Sequence, residues 1–383
     1  MRQDLFPFVH AAHPFAPVVE SFRAEVAQDF SSECLAHAEV KAVETPDGGW
    51  TVDRLYWSGQ RFGGEFSART LVYSTAAGRM TWFAFPHDPR LPHVECPPES
   101  RVLRYVPLRR LTLRTAHRAT GRPVVAKFKR SSRLAESYQR LVHIADAVAA
   151  ARTDFRVPTP KGIDASHNVF YQSLEAGDDL STLLDEHTFG SSLQRLGEVH
   201  GELHQLHAPG LPLEQTDALQ VLQRNVRWIT FCEPRCADLM AASLRVALRA
   251  APPPHPPLVC HGDLVCSQVL VDSDTWTLTD FDLCHRGDPY RDMAIVLASL
   301  PYDAPTLDAH AREEAANAYL EGYRRRANRR VDEHRLSWHL LAAEIYYLAL
   351  GLTKSWCTPD QFERGLNRVR SAMARLEACR TAA

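Results

Sequence analysis

The thirty-two residues HGDLVCSQVLVDSDTWTLTDFDLCHRGDPYRD, from His261 to Asp292, constrain this chain more than any other stretch. Asp263, Asp280 and Asp282 stand beside VLV and LTL segments that read as buried strands. Solvated acidic loops are not built this way, because a carboxylate next to a buried strand needs a counter-charge. The segments VLVD and WTLTD, joined by a turn at DSDT, predict an antiparallel hairpin. Gln268 precedes the first strand and Asp280 ends the second, so closing the hairpin brings them together. Asp263 follows His-Gly on a tight turn after the short strand LVC. Gln268 and Asp280 then converge on one hard cation, with Asp263 projecting beside it. Oxygen ligands with one carboxylate to spare point to Mg²⁺ chemistry on a phosphate.

Composition removes several other classes. A chain of 383 residues is long enough for two or three domains. A net charge of −2 gives no basic field, and no basic helix stands out, so nucleic acid is excluded as the main partner. No run approaches the ~20 apolar residues of a membrane span. The nine cysteines contain no CxxC pair and read as reduced thiols. The first residues, MRQDLFPFVHAAHPF, do not form the unbroken apolar core of a signal peptide, so the expected location is the cytoplasm. Oligomeric state is left open.

Three regions follow along the chain. Residues 1–98 start with the amphipathic stretch VVESFRAEVAQDF and continue as strands WTVDRLYW, GEFSARTLVYS and RMTWFAF, a small α+β accessory module. Its aromatics (Trp50, Tyr56, Trp57, Trp82, Phe83, Phe85) read as a core, with a ligand-binding face as the alternative. Residues 99–175 read as strands RVLRYVP, RLTLRTAHR and PVVAKFKR, then a helix capped by Ser131 or Ser132, then the strand NVFYQSL. Residues 176–383 are mostly helical. One helix is expected from DLSTLLDE through GEVHGELHQLH, with GDD at Gly177 as its cap. Others are expected at ADLMAASLRVALRA and WHLLAAEIYYLALGL. The C-terminal aromatics Trp338, Tyr346, Tyr347 and Trp356 are shared between core and an acceptor pocket.

The pattern H-G-D-x-x-x-x-Q, followed by D-F-D and G-D-P-x-x-D, resembles the aminoglycoside phosphotransferase/choline kinase-like family of small-molecule kinases. The likeness spans roughly residues 100–350. It implies a bilobal, protein-kinase-like α+β fold, with a five-stranded antiparallel N-lobe, a helical C-lobe, and ATP and Mg²⁺ as cofactors. By the same resemblance, Asp263 orients or accepts the proton of the acceptor hydroxyl, and Gln268 and Asp280 hold the metal with Asp282 as helper. Lys127, on the third N-lobe strand, takes the phosphates and pairs with Glu136 on the following helix. The connector at Ser173, Leu174 and Glu175 meets the adenine edge. His261, Asp288 and Asp292 are structural, orienting the catalytic loop and capping the next helix.

Two departures matter. Gln268 stands where the family usually has Asn, a combination resembling the maltokinase branch, whose members carry an N-terminal cap domain. The phosphate loop reads PLRR without glycine, leaving Arg109 or Arg110 to supply charge. A sugar or aminosugar hydroxyl is the first expected acceptor, then an aminoglycoside-like antibiotic, then an amino alcohol. A catalytically inactive nucleotide-binding module is the alternative. A protein kinase is disfavoured because the eight residues from Asp280 to Asp288 are too few for a peptide platform. HGELH invites a zinc site, but Glu202 falls between His200 and His204 rather than in HExxH register, so the segment reads as helix packing.

Overall fold

The structure is a computed structural model that describes residues 5–382 apart from 11–12, 30–34, 62–65, 92–93, 95, 98, 186, 306 and 356. Trp356 therefore lies outside the described residues. The chain opens with α1 (Ala16–Asp29) and an antiparallel meander of β1 (Leu35–Glu44), β2 (Trp50–Arg61), β3 (Ser67–Ser74) and β4 (Arg79–Ala84). Strand β1 was not expected. Its sequence, LAHAEVKAVE, is rich in helix formers, but pairing with β2 along its whole length overrides that preference. Of the aromatics, Trp57 and Tyr56 are buried, while Trp50 and Trp82 pack on the larger core and Phe83 and Phe85 on smaller ones.

The second sheet is built from β5 (Arg101–Val106), β6 (Arg110–Ala116), β7 (Pro123–Lys129), β9 (Pro160–Asp164) and β10 (Val169–Ser173), in the order β5-β6-β7-β10-β9. Every pairing in it is antiparallel. Helix α2 (Ser131–Ala151) leaves β7 directly, and the two-residue β8 (Phe155–Arg156) follows it. The cap position of α2 is Arg130, with no side-chain cap bond, so neither Ser131 nor Ser132 plays that part.

Beyond β11 (Asp178–Asp179) the chain is helical: α3 (Leu180–Leu183), α4 (Phe189–Leu203), α5 (Ala218–Cys232) and α6 (Ala237–Arg249). Asp179 caps α3 through Ser181 N–H. The single long helix expected here is broken, because Asp185 accepts from the backbone N–H groups of His187 and Thr188 and closes a turn. Short strands β12 (Leu258–Cys260), β13 (Val269–Asp272), β14 (Thr275–Leu278) and β15 (His285–Gly287) carry the acidic stretch. The chain ends in α7 (Pro289–Asp303), α8 (Ala309–Ala327), α9 (Glu333–Lys354) and α10 (Pro359–Ala382).

Two large cores fix these parts. Val19, Phe22, Leu55 and Trp57 of the N-terminal region share one with Trp228, Trp338 and Ile345 of the helical region. The other lies under the acidic stretch and includes Phe155, Leu196, Leu278 and Tyr319. There α4 and α8 cross very closely: a Cβ on Gly197 would sit 2.0 Å from Tyr319 O, and one on Gly322 1.9 Å from Gln194 O. That closeness brings His200 of α4, and His204 just past its end, against the tyrosines of α8.

Candidate active site

The expected hairpin forms, with Val269 opposite Leu278 and Asp272 opposite Thr275. Thr279 extends it, donating to Gln268 O from its N–H at 2.8 Å and from its hydroxyl at 3.0 Å. Asp280 comes next in the left-handed region, at φ 64°, a conformation that costs an aspartate energy and clusters at functional sites. Across from it, Gly262 makes the turn before Asp263 at φ 88°. A Cβ there would fall 2.4 Å from Leu283 O, so only glycine fits.

The Asp263 loop is held from below. Asp292, fully buried, accepts from His261 N–H at 2.6 Å and Gly262 N–H at 2.8 Å. His200 and His204 also bond to it at 3.1 and 3.5 Å, and their other ring nitrogens meet the hydroxyls of Tyr319 and Tyr323. Burial alone would raise the Asp292 carboxyl, but the two histidines hold it well below the usual range. No carboxylate was expected near His200 and His204 from spacing; Asp292 stands there in space, within 4.8 Å of both ligand atoms. Every one of these ligand atoms already has a hydrogen-bond partner, so the cluster is a brace. His261 adds a bond from its ring to Thr279 O at 2.8 Å, tying the loop to the hairpin. Asp288 caps α7 through Tyr290 N–H and pairs with Arg335 at 2.9 Å.

Asp263, Gln268 and Asp280 are brought together. Gln268 Nε2 points to Asp263 Oδ2 at 3.4 Å, while Gln268 Oε1 is buried with no partner. Burial, then the charge of Asp280, pushes the Asp263 carboxyl up to about 6. Asp280 goes the other way: burial opposes ionisation, but Lys127 and Arg110 hold its carboxyl well below the usual range. Lys127 Nζ lies 3.0 Å from Asp280 Oδ1 and Arg110 3.2 Å from Oδ2. An unpartnered buried carbonyl oxygen beside an ionised carboxylate is a donor set that suits Mg²⁺.

Several expected partners are rearranged. Lys127 and Glu136 do not pair; Lys127 is satisfied by Asp280, and Glu136 is held by Arg133 at 3.0 Å and Arg140 at 2.6 Å on its own helix. Arg109 turns away to Glu39 at 3.0 Å, and Arg110 is the arginine that faces the aspartates. Asp282 is in a salt bridge with Lys129, as Asp280 is with Lys127 and Arg110. The PLRR turn closes with Leu108 at φ 63° and spends its amides internally, Leu108 N–H on Asp88 and Arg109 N–H on Val106 O. Lys129 was missed, although its spacing of two from Lys127 puts both on one face of β7.

Three cavities adjoin these residues; the smallest, of about 170 Å³, is lined by Asp263, Arg291, His339 and Tyr346, and two are larger. One, of about 460 Å³, is lined by Lys127, Gln268, Asp280, Arg104 and the connector Ser173–Glu175. Ser173 N–H is already bonded to Thr159 O, and among the described residues Leu174 and Glu175 are the part of the connector whose N–H groups are not so engaged. The other, of about 490 Å³, shares Arg104, Arg110 and Asp280 with it and reaches Asp263, Glu39, Arg109 and Lys354.

A five-stranded antiparallel lobe over a helical lobe, with lysine, paired metal-type oxygens and a raised aspartate between them, defines a protein-kinase-like phosphotransferase. Residues 109–330 match the model of the phosphotransferase enzyme family named APH, and the chain belongs to that family as a small-molecule kinase. No curated protein sequence matches it. Among solved structures, the apo form of a thermostable mutant of aminoglycoside phosphotransferase APH(4)-Ia is similar, with 18% identity and a TM-score of 0.50. That match covers 74% of this chain and 95% of the other. A ternary complex of a mutant of that protein with ADP and hygromycin B gives 16% identity and a TM-score of 0.50, covering 73% and 92%. A choline/ethanolamine kinase family protein from Mesorhizobium loti gives 17% identity and a TM-score of 0.48, covering 70% and 88%. Among the described residues, no helix is long and apolar enough to cross a membrane.

Proposed function

We propose that the protein is an ATP- and Mg²⁺-dependent O-phosphotransferase acting on a hydroxyl of a small molecule. The observation that carries this reading is the buried, unpartnered Oε1 of Gln268, a residue that lines one nucleotide-sized cavity with Asp280 and bonds Asp263 through its Nε2. Gln268 and Asp280 would hold the metal. When bound, it screens phosphate charge and makes the γ-phosphorus a better electrophile. Lys127, Arg110 and Arg104 supply positive charge to the phosphates, in place of loop amides that are already bonded. Leu174 and Glu175 offer backbone to the base. Asp263 takes the hydroxyl proton as the acceptor oxygen bonds to the γ-phosphorus, the bond to the bridging oxygen breaks and ADP leaves.

A sugar or aminosugar hydroxyl is the favoured acceptor, from the maltokinase-like Gln268 and the extra N-terminal region. An aminoglycoside-like antibiotic comes second, an amino alcohol third. Residues 1–98 serve as an accessory domain, 99–175 as the N-lobe and 176–383 as the C-lobe. A second reading, an inactive nucleotide-binding module, draws support from the internally bonded Leu108 and Arg109 amides. ADP release across a panel of hydroxylated acceptors separates the two. Turnover that disappears in Asp280→Ala supports the kinase; nucleotide binding with no turnover supports the inactive module.

A further inference from the structure

The 490 Å³ cleft beside Asp263 holds an unusual balance of charge. Its carboxylates are spoken for. Glu39 binds Arg109 and accepts from the Tyr56 hydroxyl, Glu136 is held between Arg133 and Arg140, and Asp280 and Asp282 are paired with Lys127, Arg110 and Lys129. Among the described residues, only Asp263, the base itself, stands without a salt-bridged cation. On the positive side three lining groups have no carboxylate within salt-bridge reach among the described residues: Arg104, Arg130 and Lys354. Arg104 also lines the nucleotide cavity and is accounted for by a triphosphate. Arg130 and Lys354 line the acceptor cleft alone.

Burial holds the Lys354 ammonium below its ordinary value, and Arg109 and Arg104 add repulsion, against partial relief from Glu39 and Asp263. Arg130 is lowered by burial and then by Arg90, Arg109, Arg133 and Arg54. The end of α9 is negative and tolerates Lys354, but Arg130 sits at the positive end of α2, where a cation is disfavoured. Positive charge without a carboxylate partner around a cleft is the arrangement that attracts an anion.

We infer that the phosphate acceptor is itself an anion: a hydroxylated carbon skeleton bearing a carboxylate or phosphate, gripped by Lys354 and Arg130 while its hydroxyl meets Asp263. The inference rests on the kinase reading of Asp263. A cationic acceptor finds no free carboxylate in this cleft except the base, and pairing with the base would suppress proton abstraction.

The test uses the full chain with Mg²⁺ and the non-hydrolysable analogue adenylyl imidodiphosphate, which fills the nucleotide phosphate subsites. Inorganic phosphate is then titrated by calorimetry into wild type, Lys354→Ala, Lys354→Glu and Lys354→Arg. Phosphate should bind wild type, weaken at least tenfold in Lys354→Ala, be lost in Lys354→Glu and recover in Lys354→Arg, with the analogue bound equally by all four. Turnover with glucose, glucosamine, gluconate and glucose 6-phosphate should favour the two anions, and which of them wins distinguishes carboxylate from phosphate. Normal analogue binding with no phosphate binding, or with equal phosphate affinity in Lys354→Glu, overturns the inference and leaves the kinase reading standing. Preferred turnover of glucosamine does the same. Failure of wild type to bind the analogue instead strikes the kinase reading itself.

Discussion

Replacing Asp263 by asparagine should make the protein more stable while removing most of its activity, and both effects follow from one environment. Burial first, and the charge of Asp280 second, push the carboxyl to about 6 from an ordinary 3.8. At ~1.4 kcal/mol per factor of ten, the gap corresponds to about 3 kcal/mol of folding free energy given up when Asp263 ionises in the native state. Because the folded value lies above the unfolded one, this loss is absent below pH ~4, grows between ~4 and ~6, and is complete above ~6. Asparagine cannot ionise, so Asp263→Asn should gain about 1–3 kcal/mol over wild type at pH 8 and nothing at pH 4. The measurement is urea unfolding of the metal- and nucleotide-free protein at both pH values. In parallel kcat should fall by ~10²–10⁴, and wild-type kcat/KM should drop about tenfold per pH unit below ~6. A variant no more stable than wild type at pH 8, or equally stabilised at pH 4, would refute the account of Asp263 as a group held ionised against its surroundings.

Three further outcomes are expected. Gln268→Ala should lose most activity and raise the Mg²⁺ concentration needed for half-activity, with Gln268→Asn recovering only part, since the shorter arm meets a metal that demands near-ideal geometry; an unchanged Mg²⁺ requirement in both removes Gln268 from the metal. Asp292→Asn leaves two backbone N–H groups and two histidines short of a buried anionic acceptor, and should cost about 3–5 kcal/mol in denaturant unfolding. A cost below 1 kcal/mol would show that the brace does not bear on the fold. Glu136→Gln should change kcat/KM less than about threefold, because Lys127 is held by Asp280; a hundredfold loss would mean that Glu136 reaches Lys127 during turnover.

The acidic stretch was legible in the sequence because its information is local. Alternating strands around a short turn set the hairpin register, and register alone brings Gln268 to Asp280. The N-lobe strands and α2 were readable for the same reason, from periodicity and turn residues. Strand β1 was not, since its residues favour helix and only the neighbouring strand decides otherwise. The break between α3 and α4 turned on side-chain bonds from Asp185 that no hydrophobic period reveals.

Charge pairing was the part that sequence could not assign. Residue type and spacing determined that lysines, arginines and aspartates would gather around a phosphate. Which carboxylate takes which cation depends on distances of 3–4 Å between elements far apart in the chain. Tertiary structure therefore decided that Lys127 meets Asp280 and not Glu136, that Arg109 leaves for Glu39, and that Asp292 closes on His200 and His204. It also decided which cations were left over. Coulomb energy falls steeply with separation and rises with burial, and both are set only when the lobes close on one another.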